Sequence, residues 1–540
     1  MPPSQPERAR RAWNWVGLLA ALVLLNGSVT FHNIWPTLGV HWPGELSVEL
    51  AVLLLLLAVS NTWLGSTRPW VIVSLSGLVV LFALSRYGEV TTQALYGRDV
   101  NLYWDAPRLV SVVEMLARVA RTWQIVAVCG GAVLVLTPLY LLARWSLRQI
   151  DAALHDSRAV RLGLGIGSAL LLASFLAQEL SDQAPRIPRF SIPVSRTYAD
   201  QFARIADALS NRRAARVLPP SAPLHSTLTA LSGNDVVLVF LESYGSVTYD
   251  RPEYRRQLQP ARDRLAAAIE DSGRSVASAF VTSPTFGGES VFAHLSLLSG
   301  IEVRDSTLYA LLMTQKRPTL VSLFKAAGYR AVAVMPGMQH DWPEGAFYGF
   351  DDIYDATKLH YRGPEFGWWR IPDQYSLAAL DARELQQHPR KPLFVFFPTV
   401  STHIPFRPIP PMQPDWRRVL STQPYDPAPL QHAFAQRTNW TDMGESYVSS
   451  VAYFFDVLTS YLRERANDNL LLIVLGDHQP AANVSGEGAS WDVPVHIMTK
   501  RTEIVEALEH QGFRSGLTPM RPAVGRMNDL ALWLVEAFDR

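Results

Sequence analysis

The sequence predicts a five-helix transmembrane anchor followed by an α/β sandwich with a mostly parallel sheet. Three observations carry that reading. Apolar residues concentrate before residue 181 in five stretches, each close to the roughly 20 residues that a spanning helix needs. From Asn234 onward, short apolar runs alternate with amphipathic stretches, the pattern of buried strands covered by helices. Two of those runs end abruptly in residues that bind cations: Glu242 after Val236-Val237-Leu238-Val239-Phe240-Leu241, and Asp477-His478 after Leu470-Leu471-Leu472-Ile473-Val474-Leu475-Gly476.

The apolar stretches cover residues 13–31, 46–64, 70–85, 123–143 and 162–180. Trp13, Trp35, Trp63, Trp70, Trp123 and Trp145 lie at their ends, where amphipathic rings settle at a membrane interface. Arg8, Arg10 and Arg11, then Arg68, then Arg144, Arg148, Arg158 and Arg161 all fall on one side if every stretch spans. Positive loops face the cytoplasm, so everything after Leu180 is expected on the outer side of the membrane. In the connection 86–122, Val110, Val113, Leu116 and Ala120 recur at helical spacing and predict an amphipathic helix on the membrane surface. The expected organisation is a transmembrane domain over 1–182, a proline-rich connector over 183–232, and a soluble domain over 233–540.

Lys and Arg (49) balance Asp and Glu (48), so there is no basic field to attract nucleic acid. The single cysteine, Cys129, lies in an apolar stretch, so the soluble domain must be held by its core without disulfides. Strands are predicted over 235–241, 275–281, 331–335, 393–397, 470–475 and 493–498, and helices over 261–272, 319–327 and 447–465. The prolines in 405–429 predict an extended surface excursion there.

In a parallel sheet, ligands gather at the carboxyl ends of the strands, which would bring Glu242, Asp477 and His478 to one edge. Carboxylates and an imidazole suit a hard or borderline divalent cation. A nucleophile is offered by Thr282-Ser283-Pro284-Thr285-Phe286-Gly287-Gly288-Glu289-Ser290, just before the helix-like run 291–298. A hydroxyl at the first turn of a helix sits near unpaired N–H groups and the positive end of the dipole. That suits phosphoryl transfer, but an N-cap is the commoner job for a Ser at such a place, and local sequence favours the cap.

The set Leu241-Glu242-Ser243, Gly288-Glu289-Ser290 before a helix, Ser401-Thr402-His403, and Gly476-Asp477-His478 resembles the alkaline-phosphatase superfamily. It is most similar to its membrane-anchored, sulfatase-like branch: lipoteichoic acid synthases, phosphoglycerol transferases and phosphoethanolamine transferases. The resemblance implies five membrane helices and an extracytoplasmic sulfatase-like domain. It also implies one divalent metal, Mn²⁺ or Zn²⁺ with Mg²⁺ compatible, on Glu242, Ser290, Asp477 and His478. Ser290 would be the nucleophile, chosen because it precedes Gly300 by ten residues, with Thr285 as the alternative. His403 would bind the substrate phosphate, and His340 and Trp342 would line the pocket.

Departures from the family pattern narrow the activity. Ser290-Val291-Phe292-Ala293-His294 lacks the Arg that sulfatases need to make formylglycine. His340-Asp341-Trp342 keeps the Trp of the lipoteichoic acid synthases and lacks their Arg. His294, His432 and His496 read as structural. The implied function is transfer of a phospholipid-headgroup phosphoryl unit, glycerol phosphate or phosphoethanolamine, from a membrane phospholipid to a cell-envelope glycan acceptor through phosphoserine. Water as acceptor, or a non-catalytic glycan- or partner-binding envelope protein, are the alternatives.

Overall fold

The structure is a computed structural model, and it describes residues 5–34, 39–106, 109, 113, 117, 122–181, 186–209, 218–231, 233–339, 342–466 and 468–539. The chain divides into two compact units, with the change between them near Ser210. The expected surface helix within 86–122 lies largely outside the described residues.

Among its described residues the first unit holds the apolar helices α1 (Gln5–Thr30), α2 (Val48–Trp63), α3 (Pro69–Tyr96), α4 (Thr122–Asp156) and α5 (Arg158–Leu180). Of these, α3, α4 and α5 are long and apolar enough to cross a membrane, whereas the apolar parts of α1 and α2 are shorter. Leu18, Ala21, Leu25, Leu54, Leu57, Leu147, Ile150 and Leu154 make the inner seam of the bundle. Outward-facing Val126, Val128, Leu134 and Leu170 remain uncovered, which only a lipid phase accommodates without cost. The protein is a membrane protein. An amphipathic helix α6 (Val194–Leu209) follows.

The second unit is a three-layer α/β/α domain. Its strands are β1 (Asp235–Leu241), β2 (Ser275–Thr282), β3 (Arg330–Met335), β4 (Asp352–Asp355), β5 (Leu393–Pro398), β6 (Leu470–Gly476), β7 (Asp492–Thr499) and the two-residue β8 (Arg514–Ser515) and β9 (Gly525–Arg526). The sheet order is β8-β2-β7-β6-β1-β5-β3-β4, with β9 beside β2. β1 pairs in parallel with both β5 and β6, β5 with β3, and β3 with β4. β7 runs antiparallel to both β6 and β2, so β2 again points the same way as β1. A parallel return would need a helical crossover, and the segment joining β6 to β7 contains only the short helix Ala482–Ser485.

Both sheet faces are buried, which explains the continuous apolar runs. Along β1, Val236, Leu238 and Phe240 enter one core, and Val237, Val239 and Leu241 the other. The first core is closed by α8 (Ser290–Ser299), α9 (Leu320–Ala326), α12 (Thr502–His510) and α13 (Leu530–Asp539). The second is closed by α7 (Pro252–Asp271), α10 (Asp373–Leu380) and α11 (Gly444–Glu464). The stretch 405–429 is not the extended surface excursion expected from its prolines. Trp416 and Phe406 are buried, Trp416 donates to Ser460 Oγ at 2.9 Å, and short helices form at Trp416–Val419 and Pro427–Ala435. Apolar anchors override a polar and proline-rich composition here.

The last residue of β6, Gly476, lies so close to the chain leaving β1 that an added Cβ would sit 1.8 Å from Tyr244 O. Gly476→Ala must push the two strand ends apart, and we expect it to lower stability by about 3 kcal/mol. Thermal unfolding of the full chain in detergent checks this; an unchanged Tm would mean the junction is looser than the geometry shows.

Candidate metal centre and nucleophile

The three neighbouring strands β1, β5 and β6 deliver their C-terminal residues to one edge of the sheet. Beyond β1, the Glu242 N–H donates to Thr399 Oγ1 at 3.0 Å, which ties it to the end of β5. Beyond β6, Asp477 and His478 are almost fully buried, at 1 % exposure each. Glu242, Asp477 and His478 each offer a ligand atom within 4.8 Å of the others.

Ser243 holds this group together. Its amide donates to Asp477 Oδ1 at 2.8 Å, its hydroxyl donates to Glu242 Oε1 at 2.9 Å, and its carbonyl accepts from Tyr447 OH at 2.9 Å. To reach all three it adopts φ +57°, a left-handed conformation that costs a non-glycine residue about 1–2 kcal/mol. The sequence shows Ser243 only as the neighbour of Glu242; nothing local in it signals this clamp.

Ser290 is the first residue of α8, and Glu289 occupies the cap position in the left-handed region with φ +61°. Gly287, at φ +72°, and Glu289 bend the chain sharply before the helix. The Ser290 hydroxyl is therefore not an N-cap. It donates to Glu242 Oε2 at 3.1 Å and lies 3.2 Å from His478 Nε2. Thr285 instead donates its hydroxyl to Gly288 O at 2.6 Å and shapes the loop.

The donor set fits a divalent cation. His478 Nδ1 lies 2.7 Å from Gln479 O, so that nitrogen carries the proton and Nε2 turns its lone pair inward. Nε2 then faces Glu242 Oε1 and Asp477 Oδ2, each at 3.5 Å. Asp477 Oδ2 is buried and without a hydrogen-bond partner. Three lone pairs converging in a dry site repel one another unless a positive charge sits among them. Burial, and then Glu242, push the Asp477 carboxyl up to about 6. Burial opposes charge on His478, but Asp477 and Glu242 outweigh it and raise its pKa.

His403 lies on the loop after β5, with Nδ1 2.6 Å from Ile404 O. Burial drops its pKa to about 4, and it is close enough to respond to the charges of His478 and Asp477. Trp342 stacks on Phe396 and Phe350 at 6.1 and 6.0 Å, packed against the first core. His340 lies outside the described residues. His294 packs 4.5 Å from Phe240 with its pKa lowered to about 4 by burial, and His496 is bonded to Ser278 and Tyr244 at 2.7 and 3.0 Å. His432 is exposed on a short helix.

The family model for sulfatases matches residues 234–510, which hold strands β1 to β7 and all but the last of the covering helices. The chain belongs to the sulfatase family. No curated protein matches it significantly. Among solved structures it is similar to the lipoteichoic acid synthase LtaP from Listeria monocytogenes, at 14 % identity and a TM-score of 0.36 over 52 % of this chain and 68 % of that one. It is also similar to the C-terminal periplasmic domain of EcEptC from Escherichia coli, at 17 % identity and 0.35 over 54 % and 79 %. A third is the phosphoglycerol transferase GacH from Streptococcus pyogenes, at 12 % identity and 0.35 over 64 % and 81 %.

Two experiments test the frame around this sulfatase-family site. A hydrogen bond to a charged group is worth about 1.5–3 kcal/mol, so loss of the Ser243 hydroxyl should weaken Mn²⁺ binding about tenfold. Ser243→Ala and Ser243→Gly should weaken it alike, although glycine relieves the backbone strain; unchanged affinity in both would remove the clamp role. Asp373 accepts from the Val400 and Ser401 amides at 2.8 and 3.0 Å and so fixes the His403 loop. Burial raises its pKa from 3.8 to about 6, so its folded form holds a proton that the unfolded chain has released. Its stabilising contribution is complete below pH 4 and is lost as pH rises through about 6. Relative to Asp373→Asn, the wild type should lose about 3 kcal/mol of stability across that window, read by denaturant unfolding at each pH.

Proposed function

We propose that the chain transfers the phosphoryl headgroup unit of a membrane phospholipid to a hydroxyl of a cell-envelope glycan, through a covalent phosphoserine at Ser290. The observation that carries this reading is the Ser290 hydroxyl held 3.1 Å from Glu242 and 3.2 Å from His478 at the start of a helix. The residues that would hold a single divalent cation are Glu242, Asp477, His478 and Ser290, and such a cation would supply positive charge against the phosphoryl oxygens. Mn²⁺ or Zn²⁺ suits this mixed oxygen and imidazole set, and Mg²⁺ is compatible with it.

Ser290 Oγ attacks phosphorus as its proton leaves along the hydrogen bond to Glu242. The P–O bond to diacylglycerol breaks, and the departing alkoxide takes up the proton that Glu242 received from Ser290. The α8 amides stabilise the charge on the phosphoryl oxygens. The acceptor hydroxyl then attacks the phosphoserine, its proton passes to Glu242, the bond between phosphorus and Ser290 Oγ breaks, and Oγ takes that proton back. Membership of the sulfatase family does not imply sulfate ester cleavage here. The Arg required for formylglycine is replaced by His294, which is buried and uncharged against Phe240 and Phe396. The apolar helices keep the site near its lipid donor, and the arginine distribution supports a plasma-membrane protein with its α/β domain on the outer side.

The test is intact mass of the full chain in mixed-phospholipid vesicles with Mn²⁺. Wild type should gain the mass of one headgroup phosphoryl unit; Ser290→Ala should gain none and release diacylglycerol about 10³-fold more slowly. A gain of mass in Ser290→Ala would place the nucleophile elsewhere.

A further inference from the structure

Helix α6 has a face that protein contacts explain and a face that they leave bare. Val194, Tyr198, Gln201 and Ile205 turn towards the first unit and are wholly or partly buried. Along its first turns the helix meets three others. Ser195 Oγ donates to Glu49 in the first turn of α2 at 3.0 Å, and Arg196 pairs with Glu179 in the last turn of α5 at 3.5 Å. Tyr198 meets Phe82 of α3 with ring centroids 5.8 Å apart. Each contact touches a single turn of its partner, so α6 crosses the end of the bundle instead of running alongside it. A helix so placed lies near the plane in which the bundle leaves the membrane.

The exposed arc of α6 divides into two edges. Ala199, Phe202 and Ala206 recur at spacings of three and four along one edge, and Arg196, Asp200 and Asp207 along the other. Phe202 is 71 % exposed, and Ile187 and Ile192, just before the helix, are 83 % and 55 % exposed. These apolar chains continue a surface that already faces lipid. Phe190 meets Phe175 of α5 edge-on at 5.4 Å, and Pro188 O accepts from Gln178 of α5 at 3.1 Å. The exposed isoleucines thus adjoin the outward-facing Leu176 and Leu180 of the same helix. Arg186 and Arg189 are exposed on either side of Ile187, which suits lipid phosphates lying above acyl chains. Water would leave this apolar edge uncovered at a cost that lipid removes.

We infer that α6 is seated in the bilayer surface, with Ile187, Ile192 and Phe202 among the lipid chains and its charged edge in water. The partner is the phospholipid bilayer itself, and the assignment stands apart from the chemistry of the metal centre. The chain therefore leaves the membrane surface after Leu209 and not at Leu180. Much of the stretch expected as a connector belongs to the anchor, in keeping with a first compact unit that runs to Ser210.

Nitroxide labels on the full chain in phospholipid vesicles test this, with Cys129→Ala removing the one native thiol, itself exposed on α4. Labels on Phe202→Cys and Ile192→Cys should relax more strongly with oxygen, which dissolves in lipid, than with a water-soluble nickel chelate. The label on Asp200→Cys should show the reverse order. A label on Cys129 of the otherwise unaltered chain supplies the reference for an acyl-chain position. Adding Phe202→Asp to the Ile192→Cys chain should shift its label towards the chelate. All these positions are exposed, so each variant should keep the wild-type Tm. A label at 202 as open to the chelate as the label at 200 overturns the inference, as does a label at 192 that Phe202→Asp leaves unmoved.

Discussion

The hydrogen bond from the Ser243 amide to Asp477 Oδ1 joins the ends of two adjacent parallel strands, and the rest of the site is arranged around it. It fixes one oxygen of Asp477 and leaves the other bare. It also forces the left-handed turn that brings the Ser243 hydroxyl onto Glu242. Gly476 must be glycine for the two chains to approach this closely. Glu242, thus held, receives the hydroxyl of Ser290 from a third direction. A strained residue, an unpartnered carboxylate oxygen and a close backbone approach meet within a few residues. Such local costs persist only where the surrounding fold over-determines them.

Much of this was legible in sequence because it is carried by local pattern. Each of the six predicted strands forms, with ends differing by a residue or so, because strands buried on both faces must be continuously apolar. Strand β4 escaped notice because its four residues, Asp352-Ile353-Tyr354-Asp355, are only partly buried and carry charge at both ends. The reversal of β7 was equally hidden, since an apolar run looks the same in either direction. The segment 405–429 misled for a different reason: proline density reports local backbone preference, whereas Phe406 and Trp416 report burial.

Glu242, Asp477 and His478 stood out as cation-binding residues at the ends of apolar runs, and the structure gathers them. What sequence could not supply is the set of links that cross the sheet. Ser243 meets a carboxylate 234 positions away, Asp373 meets the amides of Val400 and Ser401, and Trp369 rests on Gly337 and His403. None of these pairings follows a helical or strand period. For Ser290 local sequence favoured an N-cap and the family resemblance a nucleophile; in the structure Glu289 takes the cap position and the Ser290 hydroxyl points to Glu242.

The position of β1 has a consequence for the order in which the domain is assembled. β1 is the first strand made, yet both of its neighbours come later, β5 ending at Pro398 and β6 at Gly476. Its backbone groups stay half-paired until most of the domain has been synthesised, the situation that slows folding of sheets rich in non-local contacts. The acidic cluster shares that timing, because Glu242 has no companion ligands until β6 docks. The candidate ligand set is therefore completed at the end of folding, and a cation held there would latch a finished sheet rather than seed it.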